Sequence, residues 1–239
     1  MTSEPRFVPF ALEVAPGEFL RGDALPGRPP AYVYLHGMGS LRSGEKSTSL
    51  AEHAAARGRT FVRVDLRGHG ESTGRLGGVA VSELIADVEA LLAHVGPAVV
   101  IGSSLGGLLA AHAAAHRPDL VRSLTLIAPA LGLIPQLGKQ LDAAGMLWTS
   151  DGRGFTVDQR VLDDAHALDE DSLPSRLTVP TLIVHGTADE VVPVQASERF
   201  FAAVASPRKE LWLVAAGDHR LNTVAPRIWP RSDTLAGTG

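Results

Sequence analysis

Gly102-Ser103-Ser104-Leu105-Gly106 places two hydroxyls between an apolar run and an alanine-rich segment, with glycines at the flanks. The stretch fits G-x-S-x-G with Ser104 at its centre, directly after a strand pattern and directly before a helix pattern, which is the context of a nucleophile elbow. Such a turn is too sharp for side chains at its flanks. Its central residue is held in a strained backbone conformation that lifts the hydroxyl above the sheet. A helix starting at Leu105 would aim its unpaired N–H groups and positive end at that hydroxyl. The structural alternative for a serine here is a helix N-cap.

A serine hydroxyl is a weak nucleophile without a base, and the base needs an orienting acid. In elbow hydrolysis the chain order is Ser, then Asp or Glu, then His. Asp189 in HGTADEVVP and His219 in AAGDHRL supply that order, each just past an apolar strand pattern. Glu190 and Asp218 are the neighbouring alternatives. Asp189 is preferred because it ends a turn of small residues, whereas Glu190 leads into an apolar run. Acyl transfer also needs N–H donors for a tetrahedral oxyanion. The backbone of Leu105 is one candidate, and that of Met38 in HGMGS is the other, with glycine on both sides of Met38. His36 reads as a brace of that loop and not as a base. Asp65 and His69 in DLRGHGES likewise read as structural.

These residues need a frame. Strand patterns cover Phe7–Val14, Glu18–Arg21, Ala31–Leu35, Thr60–Val64, Ala98–Ile101, Ser123–Ile127, Thr181–Val184 and Glu210–Val214. The first two flank a turn and open the chain as an antiparallel hairpin. The later ones are nearly continuous in Val, Ile and Leu, as in parallel strands covered on both faces. Helix patterns at Ser43–Arg57, Val81–His94, Leu105–His116 and Gln195–Ala205 fall between them. The alternation predicts an α/β domain with a doubly wound, mostly parallel sheet spanning 1–239. Residues 129–180 break the rhythm. They show no convincing strand and read as a lid inserted in the domain. Leu131, Met146 and Trp148 are its candidate pocket residues.

Composition narrows the remaining classes. The 239 residues carry a formal charge of −4 and no cysteine. A nucleic-acid stripe, a disulfide framework and a thiolate centre are therefore not expected. His112 and His116 lie four apart on a buried helix, but no third ligand accompanies them, so neither a metal nor an organic cofactor is expected. No stretch is apolar enough for a membrane span, and the N-terminal residues lack a secretion-signal pattern. A cytoplasmic location is the expectation.

Together LHGMGS, DLRGHGES, GSSLGG, HGTADEVVP and GDHRL make the chain, from about Ala31 to Arg220, resemble the α/β-hydrolase superfamily. GSSLGG with DHRL is similar to the branch of small serine esterases and acyl-protein thioesterases, related to monoacylglycerol lipases. The lipases usually carry His where this chain has Ser103. The resemblance implies Ser104, Asp189 and His219 as a triad, Met38 and Leu105 as oxyanion donors, and a small-molecule ester or thioester as substrate. Other uses of the fold are a slow or non-catalytic small-molecule receptor and a carbon–carbon bond hydrolase or peptidase. One departure stands out. Family members usually end in an amphipathic helix, whereas the tail LNTVAPRIWPRSDTLAGTG has two prolines and little periodicity, which predicts a poor helix. An uncovered sheet face would favour self-association, and so a homodimer.

Overall fold

The computed structural model describes residues 6–149 and 152–238. Among the described residues ten strands form, β1 Val8–Ala15, β2 Glu18–Leu25, β3 Arg28–Leu35, β4 Arg59–Asp65, β5 Ala98–Ser103, β6 Val121–Ile127, β7 Met146–Trp148, β8 Gly154–Thr156, β9 Thr181–Gly186 and β10 Lys209–Val214. The helices are α1 Glu45–Ala56, α2 Val81–Val95, α3 Leu105–His116, α4 Gln159–His166, α5 Leu173–Arg176, α6 Val194–Ala203 and α7 Ala225–Ala236. Eight strands build one sheet in the order β1-β2-β4-β3-β5-β6-β9-β10. β1 and β2 pair antiparallel, β2 joins β4 antiparallel, and from β4 to β10 every neighbour is parallel.

The period of two along the strands divides the core into two layers. Ala31, Val33 and Leu35 of β3 face one layer with α2, α3 and α6, while Tyr32 and Tyr34 face the other with α1 and α7. α2 follows its apolar spacing, burying Leu84, Ile85, Val88, Leu91 and Leu92. Glu83 reaches back to the N–H of Ala80 at 2.7 Å and closes its first turn. α3 is buried over nearly its whole length. Its alanines and glycines let it lie close against the sheet centre. Because the central strands are parallel, the loops after β3, β5, β9 and β10 all leave the same edge, where open α/β sheets place their sites.

Two expectations need correction. The segment between β6 and β9 does contain strands, since β7 and β8 pair antiparallel from Met146↔Thr156 to Trp148↔Gly154. Three-residue strands are too short to display a period, and this hairpin is organised by a side chain. Asp142 accepts the N–H groups of Ala144 and Met146 at 2.8 and 2.9 Å and the indole N–H of Trp148 at 2.8 Å. The tail is also not a poor helix. It forms α7, the closing helix, despite Pro226 and Pro230. Pro226 lies in the first turn, where the missing N–H costs little. Pro230 is internal and removes a bond. Burial outweighs this, because Ile228 and Trp229 are 0 % and 1 % exposed. Asp233 is also buried, hydrogen-bonded to Tyr32 and paired at 2.8 Å with both His53 Nε2 and Arg57 Nε. Gly237 ends the helix in the left-handed region, at φ +68°. With α7 on the sheet, the self-association expected from an uncovered face loses its basis.

Candidate active site

β5 delivers the elbow. Ser104 follows its last residue with φ 54° and ψ −119°, a region that L-residues rarely adopt. The backbone around it leaves little alternative. Ser104 N–H donates to Ile127 O at 2.9 Å, and its carbonyl accepts from Gly107, Leu108 and Ala130 at 3.0, 3.2 and 3.1 Å. The flanking glycines are explained by close approach. A Cβ on Gly102 would lie 2.2 Å from Gly106 O, and one on Gly106 would lie 2.4 Å from Leu35 O. Ser103 is buried. Ser104 is the serine displayed.

The loops after β9 and β10 bring the other two groups to it. Ser104 Oγ lies 3.1 Å from His219 Nε2, the serine hydroxyl donating. His219 Nδ1–H donates to Asp189 Oδ2 at 2.8 Å. The Asp189 side chain is fully buried and that of His219 is 15 % exposed. Burial alone would raise the Asp189 carboxyl. The adjacent His185 and His219 ring nitrogens and the Val192 N–H outweigh it and hold the group well below the usual carboxylate range. Oδ1 accepts Val191 N–H and Val192 N–H at 2.8 and 2.9 Å. Of the neighbouring acids, Asp218 accepts the N–H of Leu221 at 2.9 Å, and Glu190 is exposed.

The loop after β3 crosses in front of Ser104. A Cβ on Gly37 would lie 3.1 Å from Ser104 Cβ. His36 braces this loop, its Nδ1–H donating to Gly37 O at 2.8 Å and its Nε2 accepting Leu66 N–H at 3.0 Å. Burial, with His69 adding, pushes the His36 imidazole down to about 4, so it is neutral and has no free nitrogen for base chemistry. His69 Nε2 accepts Gly39 N–H at 3.0 Å, and Asp65 accepts the N–H groups of Arg42 and Glu71 at 2.8 and 3.1 Å.

Space opens on two sides of Ser104. One cavity is lined by Leu133, Ile134, Leu137, Leu147 and Trp148 together with Met38, Leu105 and His219. A second, small apolar space of about 30 Å³ shares Met38, Leu105, Ile134, Leu137 and Leu147 with it and is also lined by Val81, Val157 and Val161. The other cavity is polar. Ser40, Ser43, Lys46, Arg220 and Asn222 line it beside Ser104 and His219. Lys46 Nζ donates to Arg220 O at 2.6 Å and to Asn222 Oδ1 at 3.1 Å, pinning the chain just after His219. Burial pulls its ammonium down to about 8, against the opposing charges of Asp218 and Glu45.

Of the residues singled out in the sequence, Ser104, Asp189 and His219 converge, and Met38 and Leu105 border the serine. Trp148 lines the apolar cavity while remaining 56 % exposed. Leu131 is buried in the core layer beneath, and Met146 is half-buried on the β7–β8 hairpin; neither is among the described residues lining the cavity. Sequence reasoning passed over His185 and Lys46. His185 carried a usable signal, a histidine inside an otherwise apolar strand; Lys46 carried none.

Comparison with known proteins agrees with this architecture. Residues 30–156 match the α/β hydrolase fold family, and residues 159–223 match the serine aminopeptidase S33 family. The mitochondrial palmitoyl-protein thioesterase ABHD10 of Mus musculus is 33 % identical over 218 residues, covering 84 % of this chain and 72 % of that protein. The structure of α/β hydrolase domain-containing protein 10 from mouse superposes with a TM-score of 0.82 at 29 % identity, covering 95 % of this chain and 99 % of that one. The pimeloyl-[acyl-carrier protein] methyl ester esterase of Chromobacterium violaceum is 44 % identical over 104 residues, 43 % of this chain and 38 % of that protein. The chain is a hydrolase and belongs to the α/β hydrolase fold family.

Proposed function

We propose that this protein hydrolyses carboxylic thioesters and esters of apolar acyl groups through an acyl-enzyme on Ser104. The observation that carries the reading is the unbroken hydrogen-bond chain Ser104–His219–Asp189. His219 takes the Ser104 proton as Oγ attacks the carbonyl carbon, and Asp189 holds the imidazole in the productive tautomer and stabilises its charge. The N–H groups of Met38 and Leu105 receive the oxyanion; losing one such donor typically costs about 3–4 kcal/mol of transition-state stabilisation. His219 then protonates the leaving thiol or alcohol, and water repeats the sequence on the acyl-enzyme.

The two cavities divide the substrate. The acyl chain enters the apolar space under the 129–180 lid, where Leu137 and Leu147 form part of its wall. The leaving group faces the polar cavity of Ser40, Ser43 and Lys46. The thioesterase and esterase names of the relatives support the same reaction class. The test is a panel of p-nitrophenyl esters and acyl thioesters of graded length. Turnover is expected to rise with chain length and to vanish in Ser104→Ala. Undiminished turnover by that variant would reject the assignment.

A further inference from the structure

His185 is the penultimate residue of β9, four positions before Asp189, and its side chain is fully buried. Nε2 lies 3.1 Å from Asp189 Oδ2 and 3.0 Å from Val192 O. Both are acceptors, so Nε2 carries the proton. Nδ1 lies 2.7 Å from Ser197 Oγ on α6, and that hydroxyl donates to it. A buried imidazole is costly unless both nitrogens are partnered, and an aliphatic residue would fill the same place at no such cost. Packing alone therefore does not account for a histidine here.

Asp189 Oδ2 accepts His219 Nδ1–H at 2.8 Å, and His185 Nε2, whose N–H donates to Val192 O, stands 3.1 Å from the same oxygen. Oδ1 is occupied by the Val191 and Val192 amides. The carboxylate is thus hydrogen-bonded from its own loop and from the loop after β10, while His185 of β9 lies against Oδ2 and ties down Val192 of that same loop; the carboxylate cannot turn about its Cβ–Cγ bond without breaking one of these bonds. We propose that His185 is a positioning residue of the triad: fixed in one tautomer by Ser197, it acts through Asp189 to hold the carboxylate in the plane that aims His219 at Ser104. The proposal rests on the triad reading above. The site becomes a relay of five side chains, Ser197–His185–Asp189–His219–Ser104, that ties the catalytic edge to α6.

Two variants separate this role from packing. In His185→Gln the amide nitrogen reaches the former Nε2 position and restores a donor facing Val192 O and Asp189 Oδ2; in His185→Leu no donor remains. Measured on a short p-nitrophenyl ester, His185→Leu is expected to lose about 10–100-fold in kcat with KM within about twofold, the scale of a misplaced catalytic group. Oδ2 then serves His219 alone and stabilises its charged form more strongly, so the acid limb of kcat/KM moves to higher pH. His185→Gln is expected to recover most of the rate and the original limb. A folded His185→Leu with wild-type kcat and limb, or a loss that glutamine does not relieve, overturns the proposal. Should His185→Leu fail to fold, Ser197→Ala keeps the imidazole but frees Nδ1. A smaller fall in kcat supports the relay, and an unchanged kcat overturns it. A wild-type chain that neither turns over the ester nor takes a fluorophosphonate label would overturn the triad reading itself. A wild type that does both, beside an unimpaired His185→Leu, would overturn only the role given to His185.

Discussion

The strain at Ser104 is measurable as stability. Its φ of 54° and ψ of −119° place a side-chain-bearing residue where Cβ is crowded. Ser104→Ala and Ser104→Gly both remove Oγ and its 3.1 Å bond to His219, so that loss cancels when the two are compared. Alanine keeps the Cβ and the strain; glycine removes both. Such backbone conformations cost about 1–3 kcal/mol, and glycine gives back about 0.5–1 kcal/mol through the extra freedom of its unfolded chain. The net is about 1 kcal/mol in favour of glycine. For a chain of this size that is roughly 2–4 °C in Tm. Differential scanning calorimetry of the two variants, with ester hydrolysis absent in both, is the assay. A glycine variant that melts at or below the alanine variant would refute the claim that the elbow stores strain.

Three further outcomes are expected. Trp229→Ala should cost about 3–5 kcal/mol in urea unfolding, because this side chain of α7 is fully buried between the helix and the rest of the domain, while initial rates well below Tm stay within about twofold; a loss below about 1 kcal/mol would mean that α7 does not close the core. Burial, with Asp171 adding, pushes the Glu170 carboxyl up to about 7, its bond from Gly132 N–H opposing. A carboxyl raised on folding contributes stability that is present at low pH and is lost as pH rises through about 7. Glu170→Gln should therefore raise the unfolding free energy at pH 8 by an amount on the order of 1–3 kcal/mol and leave it unchanged near pH 4.5; an equal gain at both would show that charge is not the cause. Leu147→Trp should lower kcat/KM for long acyl chains at least about 10-fold and spare short ones, since Leu147 borders both stretches of apolar space. A uniform loss would remove the acyl chain from that cavity.

What was legible in the sequence was what chemistry and backbone sterics dictate. Gly102 and Gly106 could be read because their Cβ positions are occupied by backbone oxygen. Asp189 and His219 could be read because parallel strands deliver their following loops to one edge. The parts that escaped depend on contacts distant in the chain. α7 contradicts its own propensity, with Pro230 inside it, and exists because Trp229 and Asp233 find partners on α1 and β3. The β7–β8 hairpin depends on one carboxylate, Asp142. His185 lay in plain view in HGTADEVVP, yet its part emerges only when Ser197, eleven positions after Gly186, folds back onto its ring.

The central claim is that Ser104 is a nucleophile made reactive by His219 and Asp189. Treating the folded protein with a fluorophosphonate and mapping the adduct by mass spectrometry tests it most directly. The account predicts a single adduct on Ser104, absent in Ser104→Ala and formed far more slowly in Asp189→Asn. An adduct on Ser103 or on another residue, or labelling that proceeds as fast without the Asp189 carboxylate, would contradict it.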